Sequence, residues 1–154
     1  MYWSQIEQGD IDHHLIHAPS IRLISAVQGD KGDWVYALDL RITPPNQKFL
    51  SPQLMHSFEH LLLAGCRKHF GKHFISVAPM GCQTGFYLIL LNEGRVNTIC
   101  AVYEAILQDI LSAKAVPYAN PKQCGQAVYH DLEASQDLAR FLLSHKTHWR
   151  QVFV

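Results

Sequence analysis

The chain has no surplus charge of either sign: its 154 residues include 13 Lys or Arg and 13 Asp or Glu, which cancel. Without a basic face there is no broad electrostatic footprint for nucleic acid or an anionic membrane, so a small molecule is the expected partner. Long apolar runs are missing too. No stretch approaches the roughly 20 residues that a membrane span needs, and Met1–Glu7 lacks the basic region and apolar core of a signal peptide. The expectation is a cytoplasmic protein. Closely paired cysteines are also absent: Cys66, Cys82, Cys100 and Cys124 stand far apart, and in a reducing compartment they are expected as free thiols. Repeats, linkers and low-complexity segments do not occur. A chain of 154 residues suits a single domain over 1-154, large enough to bury roughly two-thirds of its unfolded surface without a covalent staple.

Histidine, by contrast, is plentiful, with 10 in the chain. Five consecutive residues, His56-Ser57-Phe58-Glu59-His60, follow the helix-starting pair Ser51-Pro52, an N-cap with proline at the first helical position. Residues three and four apart are neighbours on a helix surface, so His56 and His60 can share one cation while Glu59 stands beside it, free to move protons. Two imidazoles do not close such a site. Cys124, in Gln123-Cys124-Gly125, is the natural third ligand, since a thiolate with two imidazoles suits Zn(II) or Fe(II) and leaves a position for substrate. The plainer reading is a pair of ordinary polar histidines. The apolar flank Leu61-Leu62-Leu63-Ala64 argues against it, because it would bury this side of the helix and make unpaired imidazoles costly.

The pattern along the chain gives the surroundings of that helix. From Trp34 to Ile42 apolar residues alternate with Val35, Ala37, Asp39 and Arg41, the period of a half-buried strand, which puts Asp39 and Arg41 together on its polar face. The metal-binding helix is expected to run from Ser51-Pro52 to just before Gly71. Phe74–Ala78 and Phe86–Leu91 read as strands joined through the turn that holds Cys82. Val102, Ile106 and Ile110 mark one amphipathic helix, and Leu138, Phe141, Leu142 and His145 a second one after Asp131, with Cys124 in the loop between them. The fold class expected is α+β, a mostly antiparallel β-sheet packed against helices.

Within Gly81-Cys82-Gln83-Thr84-Gly85 two glycines bracket a thiol, which suits a tight turn and close approach of a ligand. Cys82 is the candidate second acid or base beside Glu59; as a bare residue it reads more readily as a small buried hydrophobe, the reading kept for Cys66 and Cys100. A metal with an open position, a carboxylate beside it and a separate thiol fit proton transfer next to a polarised carbonyl.

Five ordered motifs carry a resemblance over nearly the whole chain. They are Asp12-His13 followed by Ala18-Pro19; Asp39-Leu40-Arg41; His56-Ser57-Phe58-Glu59-His60-Leu61; Pro79-Met80-Gly81-Cys82-Gln83-Thr84-Gly85-Phe86-Tyr87; and Lys122-Gln123-Cys124-Gly125-Gln126. On these the chain resembles S-ribosylhomocysteine lyase, the LuxS family. The resemblance implies that His56, His60 and Cys124 hold a divalent ion, Fe(II) in active enzymes and Zn(II) or Co(II) in some preparations. It implies that Glu59 and Cys82 are the catalytic proton-transfer pair. The implied reaction opens the ribose of a small thioether substrate, S-ribosylhomocysteine, migrates its carbonyl and eliminates homocysteine. It leaves dihydroxypentanedione, the precursor of a quorum-sensing signal. A homodimer with its sites at the interface is implied as well, with His13 reaching the partner's site and Arg41 lying near Cys82 to hold the thiolate and bind substrate oxygens. Two substrate-binding positions depart from the family pattern: Gln8 stands where a serine is common and Ser76 where an acidic residue is. These departures imply altered contacts to the substrate's amino or carboxylate group.

Two other readings come from the residues alone. The His-x-x-Glu-His spacing also occurs in zinc hydrolases of the inverted peptidase type, although these complete the site with a carboxylate and have no use for a second thiol. A non-catalytic binding module braced by a metal is the other; a fourth protein ligand would be its mark.

Overall fold

Ser51 and Pro52 begin the central helix in the way their chemistry dictates. The Ser51 side chain accepts the Leu54 amide at 3.2 Å, proline takes the first position where no amide proton is needed, and α1 runs Pro52–Phe70 to a stop at Gly71 with φ 55°. The computed structural model describes Trp3 and residues 8–153. In it α1 lies against an antiparallel four-stranded sheet of order β1-β2-β4-β3, formed by Ser20–Gln28, Trp34–Arg41, Phe74–Pro79 and Gly85–Leu91 in chain order. Two further helices, α2 (Val96–Ser112) and α3 (Leu132–Ser144), complete the helical side. The α+β expectation holds. Among the described residues no helix is long and apolar enough to cross a membrane.

The core forms where α1 meets the sheet. Phe58 and Leu62 from α1 pack with Leu38, Leu40, Phe86 and Leu88, all essentially without exposure, and the Phe58 and Phe86 rings lie 5.8 Å apart. Burying this much apolar surface is the main stabilising term. Gly65 allows α2 to come close, since a Cβ there would sit 2.6 Å from the Ile106 side chain. In α3 the buried apolar residues are Leu138, Ala139 and Leu142, while Phe141, expected on the inner face, is 40% exposed and His145 only caps the helix.

Two features differ from the sequence reading. Strand β1 was not expected, although Ile21 and Leu23 alternate with Arg22; the bulge between Leu23 and Ser25 breaks the period. The alternation in β2 does not give a solvated polar face, because Asp39 and Arg41 are both buried. The reason lies in β1: Arg22 pairs directly opposite Asp39, whose Oδ2 accepts Arg22 Nε at 3.2 Å and Arg41 at 2.7 Å. A carboxylate between two guanidiniums pairs charges that would otherwise be costly to desolvate, although Asp39 Oδ1 and Arg41 Nε are buried without a hydrogen-bond partner. Arg22 also donates to the Gly9 carbonyl at 2.7 Å, tying the N-terminal segment over this face.

Candidate metal centre

The second and third turns of α1 present His56 and His60 on one side, and the 113–131 loop closes over them. Each ring is aimed by a carbonyl of that loop: His56 Nδ1 donates to Tyr129 at 3.1 Å and His60 Nδ1 to Pro117 at 2.7 Å. A carbonyl only accepts, so both rings carry their proton on Nδ1 and turn the Nε2 lone pair inward, the orientation a metal ligand requires. Cys124 meets them there. Its amide donates to the Asn120 carbonyl at 2.9 Å, and its Sγ stands 3.3 Å from His56 Nε2.

His130, which the sequence reading did not name, joins the group. Its ring stacks on His56 with centroids 4.2 Å apart and lies 4.7 Å from that of His60, and its Nε2 is 3.6 Å from Cys124 Sγ. One ligand atom from each of His56, His60, Cys124 and His130 can be chosen so that all lie within 4.8 Å of one another. Desolvation, then the neighbouring His56 and His60, push the His130 imidazole below its ordinary value. The signal available in the sequence was the short step from Cys124 to His130, just ahead of the helix cap Asp131. A soft thiolate with imidazole nitrogens is a donor set that fits Zn(II), Fe(II) or Co(II).

Beside the cluster a cleft of about 330 Å³ runs between α1, through Met55, His56 and Glu59, and the β3–β4 turn, through Met80, Gly81 and Gln83. Glu59 is half-buried on the helix wall. Cys82 lies in the turn on the other side, between the lining residues Gly81 and Gln83 but not itself among them, and its side chain is exposed. Partial burial raises the Cys82 thiol, but the Thr84 hydroxyl and amide and the Arg41 guanidinium outweigh it, and the net shift is downward. Thr84 Oγ1 lies 3.0 Å from the sulfur and takes an Arg41 bond of 2.5 Å; the same Arg41 nitrogen is 3.9 Å from the sulfur. The turn is shaped differently from the expected glycine hinge. Gln83 is the residue with positive φ, at 60°, while Gly85 is required because a Cβ there would lie 2.4 Å from the Leu40 carbonyl oxygen.

The remaining candidates lie elsewhere on the chain. His13 is exposed on the one-turn helix His13–Leu15, its ring near the Ile11 carbonyl at 3.2 Å. Gln8 is half-buried in the bend before Gly9, and Ser76 is exposed on β3, paired opposite Ile89 beside a bulge.

The chain matches the family described as S-Ribosylhomocysteinase (LuxS) over residues 6–153. It is 44% identical over 148 residues to the S-ribosylhomocysteine lyase of Halobacillus halophilus, covering 96% of this chain and 97% of that protein. It is 42% identical to the S-ribosylhomocysteine lyase of Dichelobacter nodosus, with 94% and 93% covered. It is 40% identical to that of Helicobacter pylori, with 97% and 96% covered.

Proposed function

The chain belongs to the S-ribosylhomocysteinase (LuxS) family, and from this premise we propose that it cleaves S-ribosylhomocysteine to homocysteine and dihydroxypentanedione. The observation that carries the proposal is a histidine–cysteine cluster beside a cleft that Glu59 lines from α1, with Cys82, its thiol held below the ordinary value, in the turn whose Gly81 and Gln83 line the other side. The zinc hydrolase reading is not favoured, since Cys124 stands where such enzymes place a carboxylate and nothing in hydrolysis uses Cys82.

In this reading His56, His60 and Cys124 hold the ion, which we take to be Fe(II), with Zn(II) and Co(II) accepted by the same donors. When bound, the ion supplies Lewis acidity that polarises a carbonyl or hydroxyl oxygen of the substrate. Glu59 and Cys82 act from opposite sides of the sugar chain, one removing a carbon-bound proton as the other returns one, so that the carbonyl moves along the chain. Once the carbonyl is placed, loss of a proton beside it expels the homocysteine thiolate. Arg41, fixed by Asp39, holds Cys82 ready as thiolate and offers a guanidinium to substrate oxygens.

We further propose a homodimer in which His13, Gln8 and Ser76 bind substrate and the N-terminal segment serves the partner's cleft. Exposed Leu15 beside His13, and Val128 and Tyr129 beside the cluster, support an apolar contact there. With Gln8 and Ser76 uncharged, the substrate's amino group meets no added carboxylate from these two positions.

The test is anaerobic incubation of Fe(II)-loaded protein with S-ribosylhomocysteine, with free thiol read by a chromogenic reagent. Release by the wild type and its loss in Glu59→Gln and Cys82→Ala support the assignment. Undiminished release in Cys82→Ala rejects the mechanism, and no release by metal-loaded wild type rejects the substrate.

A further inference from the structure

Thr84 is buried, at 1% exposure, two residues from the exposed Cys82. Its carbonyl takes the amides of Ile42 and Thr43 at 2.9 and 3.1 Å, so the residues that follow β2 fix its backbone in place. Gln83, at φ 60°, turns the chain between the two side chains, and Thr84 Oγ1 comes within 3.0 Å of the Cys82 sulfur. A fixed, buried hydroxyl thereby lies beneath a thiol that faces solvent.

Arg41 decides which way the hydroxyl proton points. A guanidinium only donates, and Arg41 Nη1 bonds Thr84 Oγ1 at 2.5 Å, so the oxygen accepts on that side. Its own proton must then find another acceptor, and at this burial the Cys82 sulfur is the one within reach. A thiolate accepts such a bond strongly. A neutral thiol is only a weak acceptor, so protonation of Cys82 leaves a buried donor poorly paired. The Arg41 nitrogen itself stands 3.9 Å from the sulfur, a long contact beside that of the hydroxyl.

We propose that Thr84 is a positioning residue for proton transfer: its hydroxyl donates to the Cys82 thiolate, and Arg41 acts on that thiolate chiefly through the Thr84 oxygen. The inference rests on the reading of Cys82 as an acid and base given above. It carries the buried ion-pair network to the reacting atom, since Asp39 orients Arg41, Arg41 orients the hydroxyl, and the hydroxyl holds the charged sulfur in one place. The bond weakens whenever Cys82 takes a proton, so the thiol gives that proton back readily. This suits a group that removes a proton at one carbon and returns it at the next.

Alkylation of Cys82 against pH, in metal-loaded protein and read by peptide mass spectrometry, tests this without turnover. Thr84→Val keeps the shape and removes the hydroxyl; Thr84→Ser keeps the hydroxyl. The midpoint should move up in Thr84→Val and stay near the wild type in Thr84→Ser. Below the wild-type midpoint the thiolate fraction of Thr84→Val should fall by about tenfold, the scale of one hydrogen bond to a charged group. Adding Arg41→Gln to Thr84→Val should move the midpoint by less than Arg41→Gln does alone. An unmoved midpoint in Thr84→Val, or one raised equally in Thr84→Ser, would overturn the role of the hydroxyl. Full additivity in the double variant would overturn the route through Thr84. Midpoints as expected together with undiminished homocysteine release by Cys82→Ala would instead overturn the catalytic reading of Cys82 on which the inference rests.

Discussion

Arg41 bonds Asp39 at 2.7 Å through one guanidinium nitrogen while another, bonded to Thr84, stands 3.9 Å from the Cys82 sulfur. A residue in the middle of the sheet thereby sets the chemistry of a turn at its end. Removal of the guanidinium should raise the Cys82 thiol. The alkylation rate of the Cys82 peptide, followed against pH by mass spectrometry, is expected to have its midpoint below that of an ordinary thiol in the wild type. In Arg41→Gln that midpoint should move up, and an unmoved midpoint would remove Arg41 from this role. Cys66 is an internal control, since burial pushes its thiol up to about 12 and keeps it unreactive.

The same shift has a sign for stability. Because the folded protein holds the Cys82 thiol low, the unfolded chain binds more protons between the two values and stability rises with pH across that window. The contribution is fully present above the ordinary thiol value and is lost as pH falls through the lowered one. Thermal melts of wild type and Cys82→Ala should diverge toward alkaline pH, with the wild type gaining.

Cys124→Ala should abolish tight metal binding while leaving the apolar core intact. Added Zn(II) then raises the melting temperature of the wild type but not of the variant; a hundredfold excess over the dissociation constant is worth about 2.7 kcal/mol. An equal rise in both would exclude Cys124 as a ligand.

Gly85→Ala should impair activity from a distance. The added methyl would press on the Leu40 carbonyl, so β4 must shift and carry the Cys82 turn with it. Loss of turnover with metal content unchanged is expected, whereas Phe58→Ala, in the core, should cost roughly 3–5 kcal/mol of stability by denaturant titration.

The sequence was most legible where local chemistry decides. Ser51 and Pro52 started α1, Asp131 capped α3 through the Ala134 amide, and His56 and His60 met Cys124 as helical spacing and ligand chemistry require. It was least legible where distant segments decide. Arg22 reads as a polar residue until β1 pairs it with Asp39, and only then does the polar side of β2 become a buried ion-pair network. His130 escaped notice because its loop conformation follows from Ser57 and from Asp131, whose amide bonds that hydroxyl. The need for Gly85 came from the approach of β2, not from the turn itself.

The central claim is that Glu59 and Cys82 move protons along the sugar chain before the thioether breaks. The most direct measurement is the deuterium content of the five-carbon product formed in D2O at the earliest time points, compared with the same product left in D2O without protein. The account predicts homocysteine release with deuterium on the product's carbons above that background. Release of homocysteine with no such deuterium would contradict it.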